Sequence, residues 1–194
     1  MSTNPFATFD PPLAGPPQFE PSDVSYVVDD TEVGRLLVAV RADGRVVTCA
    51  YVPDVASEDR WLGRVAGTVS PRVLRHPSAT DDARRALEAY LAGRARSVAV
   101  TPDLALMTPF QREVIGDLAT RVGYGERTTY AALARATDHD GAARAVGNAL
   151  GANPLCVVVP CHRVLPASGG VGGYAGGAAA KEHLLALEAA HAAR

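Results

Sequence analysis

Val157-Val158-Val159-Pro160-Cys161-His162-Arg163 is the stretch that decides how this chain folds and reacts. Three β-branched residues predict a short strand, and Pro160 marks its end. A thiol and an imidazole follow as consecutive side chains. The thiolate is the nucleophilic form of cysteine, and a free thiol with a pKa of roughly 8.5 is mostly protonated at neutral pH. A reactive cysteine therefore needs a base or a fixed dipole beside it, and His162 is a candidate for that role. An isolated pair of this kind is more often a buried small side chain beside a surface histidine. The flanking residues settle the matter.

Downstream, Gly169 to Gly177 form a glycine-dense loop around Tyr174, and a last helix carries Leu184, Leu185 and Glu188. Glu188 follows the two leucines by three and four residues, on the apolar stripe, where a carboxylate must be paired or carry a desolvation cost. Upstream, Asn153-Pro154 reads as a turn whose side chain bonds nearby backbone. Three helices precede it. Thr108-Pro109 opens the first, with Phe110, Val114 and Leu118 as its buried stripe and Gly123-Tyr124-Gly125 as its stop. Thr128 or Thr129 caps the second, which runs through Ala136. Asp138 to Gly141 form a polar turn, and the third helix covers about 142–150 with Val146 and Leu150 on one face. Two short helices joined by a glycine-containing turn fit a helix-turn-helix, and equally an ordinary αα-hairpin.

In the first half, Arg35 to Val40 and Arg45 to Val52, joined through Asp43-Gly44, predict a β-hairpin. A helix starts at Thr80, with Asp81 and Asp82 in its first turn and Gly93 just past its end. After the apolar run Ser97 to Val100, the linker containing Pro102 is the expected boundary between an N-terminal β-rich domain, 24–102, and a C-terminal domain, 103–194. Residues 1–23, with Pro11-Pro12 and Pro16-Pro17, read as a disordered proline-rich arm.

Composition mainly excludes. A net charge of −2 over 194 residues carries no basic surplus, so any nucleic-acid contact has to be local. There is no apolar run long enough for a membrane span, and Met1 to Pro5 lack the start of a secretory signal. Three cysteines make no disulfide framework, which points to a reducing, cytoplasmic setting. Cys49 and Cys156 lie in apolar runs and read as core. No paired Cys/His spacing is present, so no metal site is expected.

Taken together, residues 108–188 resemble the O6-alkylguanine-DNA alkyltransferase family, the methylated-DNA–protein-cysteine methyltransferases. The resemblance begins with Thr108-Pro109-Phe110-Gln111, Tyr124-Gly125-Glu126 with Thr129-Tyr130, and Ala143-Arg144-Ala145-Val146-Gly147. It continues in order through Gly151-Ala152-Asn153-Pro154, Val159 to Val164, Gly172-Gly173-Tyr174-Ala175-Gly176-Gly177 and Leu184 to Glu188. It implies an α/β (α+β) fold. A ribonuclease H-like N-terminal sheet would precede a mainly helical half, in which a helix-turn-helix and a short strand lead to the active-site cysteine.

The function it implies is direct-reversal repair of double-stranded DNA. A methyl or alkyl group would pass irreversibly from O6-alkylguanine, and from O4-alkylthymine, to Cys161 after base flipping. Each molecule would act once, without a cofactor, as a monomer able to assemble cooperatively along DNA. His162 would act on Cys161 through a bound water, and Glu188 would orient His162. Tyr130 would crowd the phosphate beside the flipped nucleotide and donate a proton to the base. Tyr174 would wall the cavity. Ala175, where family members often carry serine, would offer its backbone N–H to O6. The Val164 and Cys161 carbonyls would accept the guanine amino group, with Asn153 as the hinge. Arg144 would fill the vacated stack from a minor-groove helix, with Thr129, Tyr130, Ala143 and Gly147 also at the DNA.

Two departures stand out: Leu165-Pro166 replaces a more polar continuation, and Asp138 and Asp140 should weaken nonspecific DNA binding. A non-catalytic alkyltransferase-like lesion-binding protein is the main rival, but such proteins lack the acceptor cysteine. A transcriptional sensor would need a further metal-binding domain. A cysteine hydrolase would leave Arg144 and the helix-turn-helix unexplained.

Overall fold

The computed structural model of the protein describes residues 22–192, so the proline-rich arm expected over 1–23 lies almost wholly outside the described residues. Strands β1 (Val24–Thr31), β2 (Gly34–Arg41) and β3 (Val46–Tyr51) form an antiparallel meander, and β4 (Val73–Arg75) joins β1 in parallel. The resulting order is β3-β2-β1-β4. The expected hairpin is β2–β3, and Gly44 turns it at φ 82, a conformation that costs glycine nothing.

Strand β2 explains why the sheet is buried on both faces. Leu36, Val38 and Val40 enter one hydrophobic cluster and Leu37 and Ala39 the other, as the two-residue side-chain period requires. The second cluster is covered by α1 (Val55–Thr68), whose Asp54 accepts from Ser57 N at 2.7 Å in a reciprocal capping box. The first cluster is covered by α2 (Asp81–Leu91) and continues without a break into the helices of the second half.

Those helices are α3 (Pro109–Arg121), α4 (Tyr130–Ala136), α5 (Ala143–Gly151) and α6 (Gly177–His191). Thr108 and Gln111 close a second capping box at the start of α3. The stripe of α3 that is fully buried is Gln111, Val114, Ile115 and Leu118, whereas Phe110 is half-buried. Thr129 accepts from Ala132 N at 3.1 Å and caps α4. The α4–α5 connection turns through Asp138 at φ 55 and Gly141 at φ 81, and aspartate is among the few residues that tolerate this region. The mixed α+β class expected from the sequence is the one observed.

One local expectation is corrected. No regular strand leads into Cys161. Val157 lies at φ 68, and the valine run is folded tightly, with Val158 N donating to Cys156 O and Val159 N to Leu155 O, each at 2.8 Å. Tertiary anchoring overrides β propensity here: Cys49 N and Thr48 Oγ1 both donate to Pro154 O, at 2.8 and 2.7 Å. The chain leaves β3 at that point and must reverse within a few residues. Cys161–Arg163 form a 3-10 turn, and the short strand comes after it: β6 (Val164–Leu165) pairs in parallel with β5 (Thr128–Thr129).

Candidate active site

Cys161 is buried at the start of its 3-10 turn, and its sulfur accepts from Asn153 Nδ2 at 3.4 Å. Asn153 is itself fixed: its Oδ1 accepts from Leu155 N at 2.9 Å, and its carbonyl lies 3.5 Å from Cys156 Sγ. The Cys161 thiol is held below its ordinary value by the Cys156 thiol, the Asn153 amide and the Lys181 charge, against the opposing effect of burial. Cys156, by contrast, is pushed well up and keeps its proton. That proton points to the Asn153 carbonyl, and the same thiol favours the charged form of its Cys161 neighbour. The sequence reading of Cys156 as mere core therefore left out what it does to its neighbour.

His162 and Glu188 are 0% and 1% exposed. His162 Nε2 lies 3.0 Å from Glu188 Oε1 and 3.3 Å from Tyr90 Oη. The Tyr90 hydroxyl proton goes to Glu188 Oε1, at 2.6 Å. An ionised carboxylate only accepts, so Nε2 carries the ring proton and Nδ1 holds the lone pair. Nδ1 has no protein partner among the described residues. Burial lowers the His162 pKa despite Glu188, which favours the neutral ring. Burial alone would raise the Glu188 carboxyl, but hydrogen bonds from His162, Arg163 and Tyr90 bring it down to about 2. Arg163 supplies a fork, Nε at 3.0 Å from Oε2 and Nη2 at 2.8 Å from Oε1. Gly125 N adds a bond to Oε2 at 3.1 Å. Gly125 must be glycine, at φ 79 and with any Cβ falling 2.6 Å from Ala192.

A cavity of about 280 Å³ opens over Cys161, lined by Tyr130, Gly147, Leu150, Tyr174 and Ala175 among others. Tyr130 is half-buried at the first position of α4, and burial raises its pKa, so it stays a donor. Tyr174 is half-buried and Ala175 exposed at the rim. Gly147 faces Tyr130, where an added Cβ would sit 3.7 Å from the ring. Arg144 is exposed on α5, with Ala143 half-buried beside it, and Thr129 caps α4 behind Tyr130. The Val164 and Cys161 carbonyls already have one internal donor each, Lys181 Nζ at 2.7 Å and Val164 N, which leaves one lone pair apiece. A larger cavity, about 620 Å³, lies against β1, β2 and α2. It holds neither thiol nor imidazole.

The comparisons with known proteins bear on this arrangement. Residues 109–190 match the family model described as "6-O-methylguanine DNA methyltransferase, DNA binding domain". The chain is 38% identical over 172 residues to the methylated-DNA–protein-cysteine methyltransferase of Mycolicibacterium paratuberculosis, spanning 87% of this chain and 94% of that one. It belongs to the methylated-DNA–protein-cysteine methyltransferase family. The crystal structure of Mycobacterium tuberculosis O6-methylguanine methyltransferase superposes with a TM-score of 0.74 at 34% identity, covering 87% of this chain and 94% of that one. The Mycobacterium tuberculosis OGT structure in complex with DNA gives 0.71 at 33%, covering 86% and 94%.

In this methyltransferase fold, several site groups were not legible beforehand. Tyr90 comes from α2 in the other half of the chain, and its place on a buried stripe says nothing about what it meets. Arg163 was part of the quoted motif without a role. Lys181 is fully buried, and the same spacing that exposes Glu188 would have found it: it precedes Leu184, Leu185 and Glu188 by three, four and seven residues. Among the described residues no group of three His, Cys, Asp or Glu side chains could hold a metal ion, and no helix is long and apolar enough to cross a membrane.

Proposed function

We propose that the protein repairs DNA by direct reversal, accepting the alkyl group of O6-alkylguanine on Cys161. The observation that carries this is a buried sulfur with a depressed pKa at the floor of a base-sized cavity beside two short helices. The Cys161 sulfur attacks the alkyl carbon in line, an S–C bond forms, and the C–O6 bond breaks with its electron pair going to the purine. The thiol proton leaves through a water to His162 Nδ1, whose tautomer Glu188 fixes. Tyr130 donates toward the guanine as negative charge develops, and the Ala175 N–H faces O6.

The substrate nucleotide has to leave the stack to reach a sulfur at this depth. Arg144, exposed on α5, takes its place, with Thr129, Ala143 and Gly147 against the backbone. A thioether has no hydrolytic exit, so each molecule acts once and needs no cofactor. O4-alkylthymine offers the same carbon–oxygen bond and is a second substrate. In this reading residues 24–102 support the site, residues 103–194 carry it, and the protein works as a cytoplasmic monomer on double-stranded DNA.

Intact mass after incubation with a duplex carrying one O6-methylguanine tests the proposal. The expected result is one added methyl group, mapped to Cys161 and absent in Cys161→Ala. Tight binding to the lesion with no mass change would replace it with a non-catalytic lesion-binding role.

A further inference from the structure

Tyr51, the last residue of β3, is buried and reaches the glycine-rich loop from the opposite half of the molecule. Its ring meets that of Tyr174 edge-on, centroids 5.5 Å apart and planes at 73°, with the two hydroxyl oxygens at 3.5 Å. Two residues further along, a Cβ on Gly176 would lie 2.5 Å from the Tyr51 ring, so the loop backbone rests directly on it. Tyr51 thus holds the loop on both sides of Ala175. His162 faces Tyr174 from elsewhere, with centroids 6.4 Å apart and planes at 84°. The Tyr174 ring, one wall of the cavity over Cys161, is therefore braced by Tyr51 and by His162.

Space exists for the loop to move if that brace is lost. A third cavity, about 300 Å³, lies against Gly34, Tyr51, Pro53, Ala175 and Gly176. Gly34 of β2 lies near the same ring, where an added Cβ would stand 3.7 Å from it. A rigid sheet residue is a better reference than a loop of glycines, whose backbone has little intrinsic preference.

We propose that Tyr51 is a positioning residue that fixes the Tyr174–Gly176 wall and thereby sets the size of O6 substituent accepted at Cys161. This deepens the reading of Cys161 as alkyl acceptor and rests on it. With the wall held, a small group sits close to the sulfur in the geometry that displacement needs. With the wall released, a small group loses that pose and a bulky one gains room.

The test measures transfer rates to Cys161 from duplexes carrying O6-methylguanine or O6-benzylguanine. For Tyr51→Ala the benzyl-to-methyl rate ratio should rise about tenfold, chiefly through slower methyl transfer. Tyr51→Phe keeps the ring and should keep the wild-type ratio. A general loss of stability would slow both substrates alike, so a ratio within about twofold of wild type in Tyr51→Ala overturns the proposal. Amide hydrogen exchange gives an arm that needs no chemistry: residues 172–177 should exchange faster in Tyr51→Ala while 161–163 do not. Wild-type protein that transfers nothing would overturn the acceptor reading instead, and unchanged loop exchange would then still overturn the positioning role of Tyr51.

Discussion

Glu188 shows how much one buried side chain can organise. Its two oxygens take hydrogen bonds from His162, Tyr90, Arg163 and Gly125, so the carboxylate sits at the meeting point of α2, the turn after α3, the Cys161 turn and α6. Removing its charge leaves a buried guanidinium without its counter-ion, which costs about 3–5 kcal/mol. Glu188→Gln should therefore lower the midpoint of thermal unfolding by about 10 °C in a protein of this size. A drop of only a degree or so would mean that Arg163 finds another partner. Periodicity alone marked this glutamate as needing a partner. It did not name Arg163 or Tyr90, because no spacing rule links residue 90 or 163 to residue 188.

At the scale of elements, α4 and α5 were readable almost residue by residue. The cap of α4 and the turn between the two are local: Thr129 bonds its own helix, and Gly141 relieves its own backbone. The short strand beside Cys161 was not, because its partner Thr128–Thr129 lies more than thirty residues away and the valine run is bent by its anchor on β3. Helix α1 went unmarked for a related reason: it fully buries only Ser57 and Val65, too thin a stripe to register as periodic. The turn between α4 and α5 offers a direct test of the DNA-binding role. Asp138 and Asp140 are exposed there, and asparagine tolerates the left-handed backbone that Asp138 adopts. Replacing both with asparagine should strengthen binding to undamaged duplex several-fold and leave the fold unchanged, as read by titration at about 0.1 M salt. Equal affinity in variant and wild type would place this turn away from phosphate.

The molecule as a whole is tied together by one hydrophobic cluster that runs from the sheet through α2 into α3–α6, with Tyr90 and Tyr51 crossing toward the cysteine. Its stability should fall in acid in two stages. The His162 pKa is lowered from 6.5 by burial, so the unfolded chain takes that proton first and stability declines as pH drops below about 6.5. Glu188, lowered from 4.5 to about 2, withholds its contribution progressively between those values. Urea midpoints should hold between about pH 7.5 and about pH 6.5 and decrease below that down to about pH 3, with the acid stage missing in Glu188→Gln. A profile that is flat in wild type below pH 5 would show that Glu188 is not ionised in the folded protein.

The sequence by itself determined whatever depends on near neighbours: the β2–β3 hairpin, the helices opened by Thr108-Pro109 and capped by Thr129, the Cys161-His162 pair and the polar burden of Glu188. The ordered motifs extended this to the family. Only the tertiary structure decided what the reactive groups touch. Asn153 and Cys156 at the sulfur, Lys181 at the Val164 carbonyl, Tyr90 on Glu188 and Tyr51 against Tyr174 are encounters set by packing of the sheet against the helices. Local spacing fixes which side chains share a face. It carries no information about which distant face arrives opposite, and at this site the distant face brings the groups that hold the nucleophile's neighbours in place.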